Sequence, residues 1–275
     1  MKKGEIIVSM TTWPPRRNCC VEAMKSLIQQ KHSEPVHFVL VLSREEFTEN
    51  DDIVHVMNEM GVEVIWDEGN IRSHKKLIPT LERYPENPIL VADDDAQQRE
   101  GWLQAFIDEH KIYPNDIIYG HSSSVVEVID GKIVEGIAQR GFHTKPGQRT
   151  YNEKPANGAA GTLYPQHTFT DTRFFDRSLF MQLCPTSDET WQWAWAVMKG
   201  MKFRCLSKCN YPLPIGRNEY ALADVNLMKY SDYHNAIAEA FPEYKDKLIS
   251  LIKQKELWSQ KRLQSRVRHT LSTSR

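Results

Sequence analysis

Apolar positions in the first hundred residues switch repeatedly between two spacings. Near-continuous apolar or β-branched runs predict strands, and such runs are typical of parallel strands covered on both faces. Apolar residues three and four positions apart predict the helices between them. The strands are predicted at 5–10, 36–42, 62–66 and 89–92, and the helices at about 18–30, 53–60 and 77–84. This alternation predicts an α/β fold of the Rossmann-like type, with a mainly parallel sheet flanked by helices.

The pattern becomes less regular after residue 100. Asp130-Gly131 lies between two β-rich arms and is a strong hairpin signal. The segment 140–167 is rich in Gly, Pro, Asn and Lys, which predicts a long loop or lid. The remaining predicted elements are a helix near 102–107, a strand at 117–119, and helices near 188–200 and 231–257.

No internal repeat or clear linker divides the chain of 275 residues. We therefore predict a single domain over 1–260, followed by a basic tail at 261–275. Within the domain, a nucleotide-binding half covers about 1–100, and a smaller acceptor-side region covers about 101–260.

The composition of the chain indicates which partners the protein can bind and in which cellular compartment it is expected. A formal net charge of -1 gives the protein as a whole no electrostatic reason to bind nucleic acid. The tail at 261–275 carries five Lys or Arg and no acid, so it could contact an anionic membrane surface or be a solvated end. Five cysteines, two of them adjacent, do not suggest a disulfide framework. With no signal-peptide or membrane-spanning pattern, we expect a cytoplasmic protein, at the inner face of the membrane if the tail binds it.

The most informative local feature is a triplet of aspartates, Asp93 to Asp95, directly after the predicted strand at 89–92. Ligands bind at the carboxyl ends of strands in open α/β sheets. Adjacent carboxylates repel one another, and a divalent cation such as Mn²⁺ or Mg²⁺ relieves that repulsion. In an extended segment Asp93 and Asp95 point to the same side, so both are predicted metal ligands. The alternative is an acidic turn in solvent.

Several motifs, in their order along the chain, resemble those of a bacterial group of glycosyltransferases with the nucleotide-sugar-dependent GT-A fold. These motifs are "VSMTTWPPR" (8–16), "NIRSHKKLIPTLERYP" (70–85), "ILVADDDAQ" (89–97), "GAAGTLYP" (158–165) and "CPTSDETW" (184–191). The resemblance covers roughly 5–200. It implies transfer of a sugar from a nucleotide-diphosphate donor to a glycan or lipid-linked glycan acceptor in bacterial surface polysaccharide synthesis, and the expected donor is UDP-linked.

The resemblance also implies roles for individual residues. Thr11 and Arg16 would lie beside the base and ribose of the donor. Arg72, Lys75 and Lys76 would supply positive charge near the pyrophosphate, with Lys76 the preferred residue. Asp93 and Asp94 would contact the donor nucleotide, while Asp95, with Asp93, would bind the metal. His167 and His234 are the candidates for a third metal ligand, and for each a structural role is the alternative.

The acceptor hydroxyl needs a proton acceptor, and Asp188 and Glu189 stand at a predicted helix start. Thr186 and Glu189 have the spacing of a capping box, which would occupy Glu189 and leave Asp188 as the first candidate for the base of an inverting transfer. A purely capping role for both acids is the alternative. The resembling group more often has a second Asp at 189 and an apolar residue at 190, so the identity of the base stays open.

Two features of the acceptor-side region have a structural and a functional interpretation. Trp191 and Trp195 share a helix face, as core residues or as stacking partners for a sugar. The small residues at 158–161 let backbone approach the donor sugar, or form a flexible loop.

Two other functions are alternatives to sugar transfer. One is metal-dependent nucleotidyl or phosphoryl transfer, although no phosphate-binding Gly-rich loop follows the first strand. The other is non-catalytic carbohydrate binding.

Overall fold

The computed structural model describes residues 4–137, 148–155, 157–207, 212–216, 226 and 228–273. Its centre is an eight-stranded sheet built from β1 (Ile6–Thr11), β2 (Val36–Ser43), β3 (Glu63–Asp67), β4 (Ile89–Val91), β6 (Asp116–Tyr119), β9 (Arg149–Thr150), β11 (Thr162–Tyr164) and β12 (Lys202–Cys205). The order across the sheet is β3-β2-β1-β4-β11-β6-β12-β9.

The first four strands of this sheet are all parallel, as the sequence predicts. Strand β11 runs antiparallel to both of its neighbours, β4 and β6, and β12 then runs parallel to β6. Successive residues of β1 belong to opposite hydrophobic clusters: Ile7 packs with one and Val8 with the other. The sheet is therefore covered on both faces, which explains the near-continuous apolar runs. The predicted α/β class is confirmed.

Helices connect and cover the strands. They are α1 (Arg17–Ile28), α2 (Asp52–Glu59), α3 (Ile78–Arg83), α4 (Trp102–Ile112), the single turn α5 (Asn157–Ala160), α6 (Arg177–Leu183), α7 (Asp188–Lys199), α8 (Tyr230–Ala240) and α9 (Pro242–Thr273), with 3-10 helices at Pro14–Arg16, Arg72–Lys76 and Thr172–Phe175. Among the described residues, none of the helices combines the length and hydrophobicity of a membrane-spanning segment.

A second, three-stranded sheet packs behind α7 and α8. It consists of β7 (Ser122–Ile129), β8 (Lys132–Ile137) and β10 (Glu153–Pro155), in the order β10-β7-β8. The predicted hairpin is confirmed, because Ile129 pairs with Lys132 across a turn in which Asp130 and Gly131 both have positive φ. The remaining two short strands, β5 (Ala96–Gln97) and β13 (Leu213–Pro214), pair with each other.

Two predictions about the second half were wrong in part. The expected loop at 140–167 contains β9, β10, α5 and β11, and 138–147 lie outside the described residues. The expected helix at 231–257 is two helices, since α8 ends at Ala240 and α9 begins at Pro242. Helix α9 continues to Thr273, and the predicted domain end at 260 stays a prediction. The basic side chains at 261–275 lie outside the described residues, so the tail stays a prediction.

Helix α7 is buried on all sides. Trp191 is fully buried and Trp195 is 5% exposed, with their rings 5.5 Å apart. Trp193, on another face, packs against Phe203 and Tyr244. A helix that is hydrophobic all round belongs to a core. The tryptophans are therefore core residues, and acceptor stacking by Trp191 and Trp195 is not supported.

The turn between α5 and β11 requires a glycine. Gly161 has a φ of +83°, and a Cβ on it would lie 2.3 Å from the Trp102 ring. Trp102 in turn donates its indole N–H to the Ala160 carbonyl. The small residues at 160 and 161 thus have a packing explanation within the fold.

Candidate functional site

The aspartate triplet lies in a turn between β4 and β5, at the carboxyl end of β4. Its members face different surroundings. The Asp94 side chain is 8% exposed, against 27% for Asp93 and 24% for Asp95. Asp94 is therefore an inward anchor, and Asp93 and Asp95 are the two carboxylates that remain accessible to a ligand.

Asp94 is held by two residues that follow β1 in the chain. Thr12 donates its hydroxyl to Asp94 Oδ2 at 2.6 Å, and Arg16 Nη1 lies 3.0 Å from Asp94 Oδ1. Burial raises the pKa of Asp94, and the Thr12 hydrogen bond and the Arg16 charge oppose that rise. The Pro-rich segment after β1 thus serves to bring Arg16 onto the triplet.

Arg16 also contacts Asp95, at 2.9 Å from Oδ2. Despite this cation, the pKa of Asp95 is raised to about 6, first by burial and then by the negative charge of Asp93. The raised pKa of Asp95 reflects burial together with the crowding of carboxylates in the triplet. A cation relieves such crowding, so the site suits one.

Lys76 connects the triplet to α7. Its Nζ lies 2.7 Å from Asp93 Oδ1 and 3.5 Å from Asp188 Oδ2, and the residue is only 6% exposed. Burial by itself would lower the pKa of Lys76, but the charges of Asp188 and Asp93 raise it well above its ordinary value. Lys76 is therefore a permanent cation between the end of β4 and the start of α7.

The structure does not gather every predicted donor residue around the triplet. Thr11 donates its hydroxyl to the Val41 carbonyl at 2.8 Å, so this hydroxyl is used within the sheet. Lys75 is buried in an ion pair with Glu46. Arg72 is exposed, with a left-handed φ of 53°. Thr12 was not among the predicted site residues, although side chains alternate along a strand and an adjacent threonine pair at its end therefore directs one hydroxyl to each side.

The N-terminus of α7 differs from the predicted capping box. Ser187 is the cap residue, and its hydroxyl accepts from the Thr190 N–H at 3.3 Å. The Thr186 hydroxyl instead contacts Asn226 at 2.6 Å and Tyr233 at 2.7 Å. The capping-box prediction is wrong, because a long-range hydrogen-bond network takes Thr186. Glu189 is therefore not occupied by capping.

The two acids of α7 have different environments. Asp188 is 3% exposed, and besides Lys76 it accepts from Gln192 at 3.2 Å. Gln192 in turn accepts from the Tyr164 hydroxyl at 2.7 Å. The Glu189 side chain is 23% exposed and lies 3.8 Å from Lys154 Nζ. Burial, which outweighs the nearby lysine, raises the pKa of Glu189 to about 7.

Neither candidate for a third metal ligand faces the triplet. His167 is exposed and lies 3.7 Å from Glu86, and the buried His234 contacts Glu135 at 2.8 Å and Tyr244 at 2.7 Å. Within the described part of the chain, no group of three His, Cys, Asp or Glu side chains could hold a metal ion. A cation at the triplet would have two protein carboxylates, from Asp93 and Asp95.

A cavity of about 380 Å³ lies elsewhere, between 168–174 and the second half of α7. Its lining includes Phe169, Arg173, Trp195 and Glu243 but none of the triplet, Lys76 or the acids of α7. The cavity is therefore separate from the candidate site.

No protein-family model and no curated protein sequence matches this chain. Its fold is similar to that of the S. aureus protein TarS. One crystal structure of TarS 1-349 has a TM-score of 0.54 at 16% identity, over 77% of this chain and 60% of that one.

Two further TarS structures contain ligands. The complex with UDP has a TM-score of 0.56 at 16% identity, over 88% of this chain and 68% of that one. The complex with UDP-GlcNAc has a TM-score of 0.56 at 15% identity, over 80% and 60%. This chain thus spans about 60% of the first TarS chain, and at this identity the likeness shows a common fold: a large, mainly parallel sheet flanked by helices.

Proposed function

We propose that this protein transfers a sugar from a nucleotide-diphosphate donor, a UDP-sugar, to a glycan acceptor. The observation that carries the proposal is the position of Lys76 between Asp93 and Asp188. This contact brings the triplet after β4 against the acidic start of α7, so a donor held at the triplet would present its sugar to α7. The fold shared with TarS, which has been crystallised with UDP and with UDP-GlcNAc, supports the choice of donor.

The triplet has the chemistry to hold Mn²⁺ or Mg²⁺. Asp93 and Asp95 are partly exposed. After burial, the charge of Asp93 is the second cause of the raised pKa of Asp95, and a bound cation relieves this repulsion. These ions are commonly held by one or two carboxylates together with substrate phosphates and water. When bound, the ion would supply positive charge to the diphosphate leaving group. Arg16 and Lys76 hold the carboxylates in place from either side.

Three further residues are proposed as donor contacts. Arg16 follows β1 and contacts Asp94 and Asp95, so its guanidinium lies where a nucleotide held at the triplet would bind. Arg72 is exposed at the start of the 3-10 helix that ends at Lys76, so its side chain is available to a phosphate. Thr11 would contribute through its backbone or its methyl group, because its hydroxyl is bonded to Val41.

Glu189 is the general base we propose. The acceptor hydroxyl loses its proton to Glu189 as its oxygen bonds to the anomeric carbon, while the bond from that carbon to the diphosphate breaks. A base with a pKa near 7 accepts a proton efficiently at neutral pH, and Glu189 is both partly exposed and near that value. Attack opposite the leaving group inverts the anomeric centre.

Asp188, the first choice from the sequence, has a different role in this proposal. Its carboxylate is buried and engaged by Lys76 and Gln192, so it is poorly placed to reach an acceptor. It would instead hold Lys76 against the first turn of α7.

The acceptor proposed from the resembling motifs is a glycan or lipid-linked glycan of bacterial surface polysaccharide.

The test is thermal stabilisation by nucleotides, followed by transfer. A ligand that binds only the native state raises the melting temperature. UDP with Mn²⁺, and UDP-GlcNAc with Mn²⁺, should stabilise the protein more than either nucleotide alone. Asp95→Asn should remove the metal-dependent part of the shift. Glu100→Gln, which neutralises an exposed acid in the same segment, should keep it.

The outcomes separate the candidate functions. No stabilisation at saturating UDP and Mn²⁺ would overturn the proposal. Stabilisation with release of UDP from UDP-GlcNAc, abolished by Glu189→Gln, would support sugar transfer. Stabilisation with cleavage between the phosphates would support phosphoryl transfer instead, and stabilisation by oligosaccharides alone would support a carbohydrate-binding protein.

A further inference from the structure

Lys154, in β10, is a buried lysine that the proposed reaction does not use. It is 0% exposed. Its Nζ lies 3.0 Å from Glu135 Oε1, 3.1 Å from the Thr190 hydroxyl and 3.8 Å from Glu189 Oε2. It also lies 4.2 Å from the centre of the Tyr230 ring. A fully buried ammonium is therefore shared between a structural acid and the acid proposed as the base.

Glu135, in β8, accepts from three donors. Oε1 receives Lys154 and the Ser124 hydroxyl, at 3.0 and 2.5 Å, and Oε2 receives His234 Nε2 at 2.8 Å. Although burial opposes its ionisation, the charge of Lys154 and the hydrogen bond from His234 bring the pKa of Glu135 down to about 2. Glu135 is thus a permanent anion that offsets most of the charge of Lys154.

His234 supports Glu135 from behind as a neutral ring. Its Nδ1 is 2.7 Å from the Tyr244 hydroxyl, and its Nε2 faces Glu135. Burial lowers the pKa of His234, so the neutral tautomer with hydrogen on Nε2 donates to Glu135 and accepts from Tyr244. The acid is therefore held by β7, β10 and α8, and it cannot move towards Glu189 without breaking these bonds.

We propose that Lys154 and Glu135 are a positioning pair that orients the Glu189 carboxylate and sets the charge it experiences. The proposal rests on the proposed function, in which Glu189 is the base. Lys154 holds one carboxylate oxygen of Glu189 from the protein side. Glu135 limits how strongly it does so, because an ammonium already paired with one carboxylate attracts a second one less.

The sharing of the Lys154 charge between Glu135 and Glu189 explains why the pKa of Glu189 is high beside a lysine. A lysine 3.8 Å away ordinarily favours an ionised carboxylate. Glu189 nevertheless has a pKa raised to about 7, chiefly by burial. With Lys154 committed to Glu135, the carboxylate keeps its affinity for a proton. The pair thus maintains a carboxylate that can both be ionised and accept a proton near neutral pH.

Other titratable groups lie around Glu189 on each neighbouring element. Asp188 precedes it on α7, Lys76 faces it from the 3-10 helix, Asp93 from the turn after β4, and Tyr230 from α8. Asp188 and Asp93 raise the pKa of Glu189, while Lys76 and Lys154 lower it. Neither substitution removes any of these four groups, although Lys154 also contacts the Tyr230 ring.

The experiment measures the ionisation of Glu189 directly, in the full chain. Protein carrying ¹³C at the glutamate carboxyl carbons is titrated by NMR, with the Glu189 signal assigned by its loss in Glu189→Gln. Lys154→Met removes a stabilising cation and should raise the pKa of Glu189 by about one unit. Glu135→Gln frees Lys154 to act on Glu189 and should lower that pKa. Opposite shifts are expected only if the pair controls Glu189.

A matched control uses another lysine–glutamate pair, between α9 and β10. Lys255 lies 3.0 Å from Glu153 of β10, and Lys255→Met should leave the Glu189 titration unchanged. If Lys154→Met does not fold, because it leaves Glu135 unpaired, the double variant Lys154→Met/Glu135→Gln removes both charges. Its Glu189 pKa should exceed that of Glu135→Gln alone.

The readout does not depend on turnover. Shifts in the same direction, or no shift in either variant, would overturn the positioning role. Where transfer is measurable, the acid side of the kcat/KM profile should move with the titration, to higher pH in Lys154→Met and to lower pH in Glu135→Gln. Opposite NMR shifts in a protein that neither binds UDP nor transfers sugar would support the pair and reject Glu189 as a base.

Discussion

The ammonium group of Lys76 lies 3.5 Å from the carboxylate of Asp188, and both side chains are almost completely buried. The contact joins the segment after β3 to the first turn of α7. Because each charge lacks access to bulk water, each depends on the other, and on Asp93 and Gln192, for stabilisation.

Replacing Lys76 by Met should therefore destabilise the fold as well as impair activity. Breaking a buried pair by removing one partner typically costs about 3–5 kcal/mol, since the remaining charge is left uncompensated. The free energy of unfolding in urea measures this loss. The double variant Lys76→Met/Asp188→Asn should recover a substantial part of it. If the two single substitutions were additive in the double variant, Lys76 and Asp188 would not form a coupled pair.

Gly161→Ala should destabilise the protein through two separate effects. A residue other than glycine at a φ of +83° costs about 1–2 kcal/mol, and the new Cβ would also overlap Trp102 at 2.3 Å. Gly200, which ends α7 with a φ of +78° and open space around it, provides a matched control for the backbone effect alone. Denaturant unfolding of both variants should give a larger loss for Gly161→Ala. Equal losses of unfolding free energy would show that the Trp102 ring moves away from the new Cβ at no cost in stability.

The first half of the fold was predictable because its signals are local. The strands β1 to β4 and the helices between them follow from apolar spacing within windows of ten to fifteen residues. The Asp130-Gly131 turn follows from its dipeptide, because Asp and Gly tolerate the positive φ values that both residues adopt. The insertion of β11 between β4 and β6 was not predictable in this way. The position of β11 depends on pairing with strands that are distant in the chain, and the spacing of apolar residues within one segment carries no information about such pairing.

The candidate site shows the same limit. The position of the triplet at a strand end follows from the sequence, and so does the presence of two acids at the start of α7. Which hydroxyl caps α7 does not, because Thr186 and Ser187 are adjacent and equally suitable locally. The distant partners Asn226 and Tyr233 decide it by engaging Thr186. That choice leaves Glu189 uncommitted and reverses the order of the two candidate bases.

Glu135 should make the stability of the protein depend on pH in the acid range. Its pKa of about 2 in the folded state is below the unfolded value of about 4.3. The resulting stabilisation, roughly 3 kcal/mol, is fully present above the unfolded pKa and is lost as the pH falls from there through 2. Unfolding free energies measured between pH 2 and 6 should converge for wild type and Glu135→Gln at the acid end. The exposed acid Glu59 gives a control, since Glu59→Gln should keep the wild-type slope.

Arg16 and Lys75 offer a direct comparison of two cations for which the resemblance implies a position near the donor. Arg16 bonds to Asp94 and Asp95, whereas Lys75 is paired with Glu46, away from the triplet. Arg16→Met should therefore abolish most of the rise in melting temperature given by UDP with Mn²⁺, because the triplet loses its anchor and its countercharge.

Lys75→Met should lower the melting temperature of the free protein, since Glu46 loses its buried partner, but it should leave the increment due to UDP and Mn²⁺ intact. Scanning calorimetry of the two variants with and without ligand separates the effects. A lost increment in Lys75→Met with a retained one in Arg16→Met would move the nucleotide site from the end of β1 to the region around Glu46, and the triplet would then have to be explained as an acidic turn. The contact geometry favours the first outcome, because Arg16 is the cation that bridges two of the three aspartates.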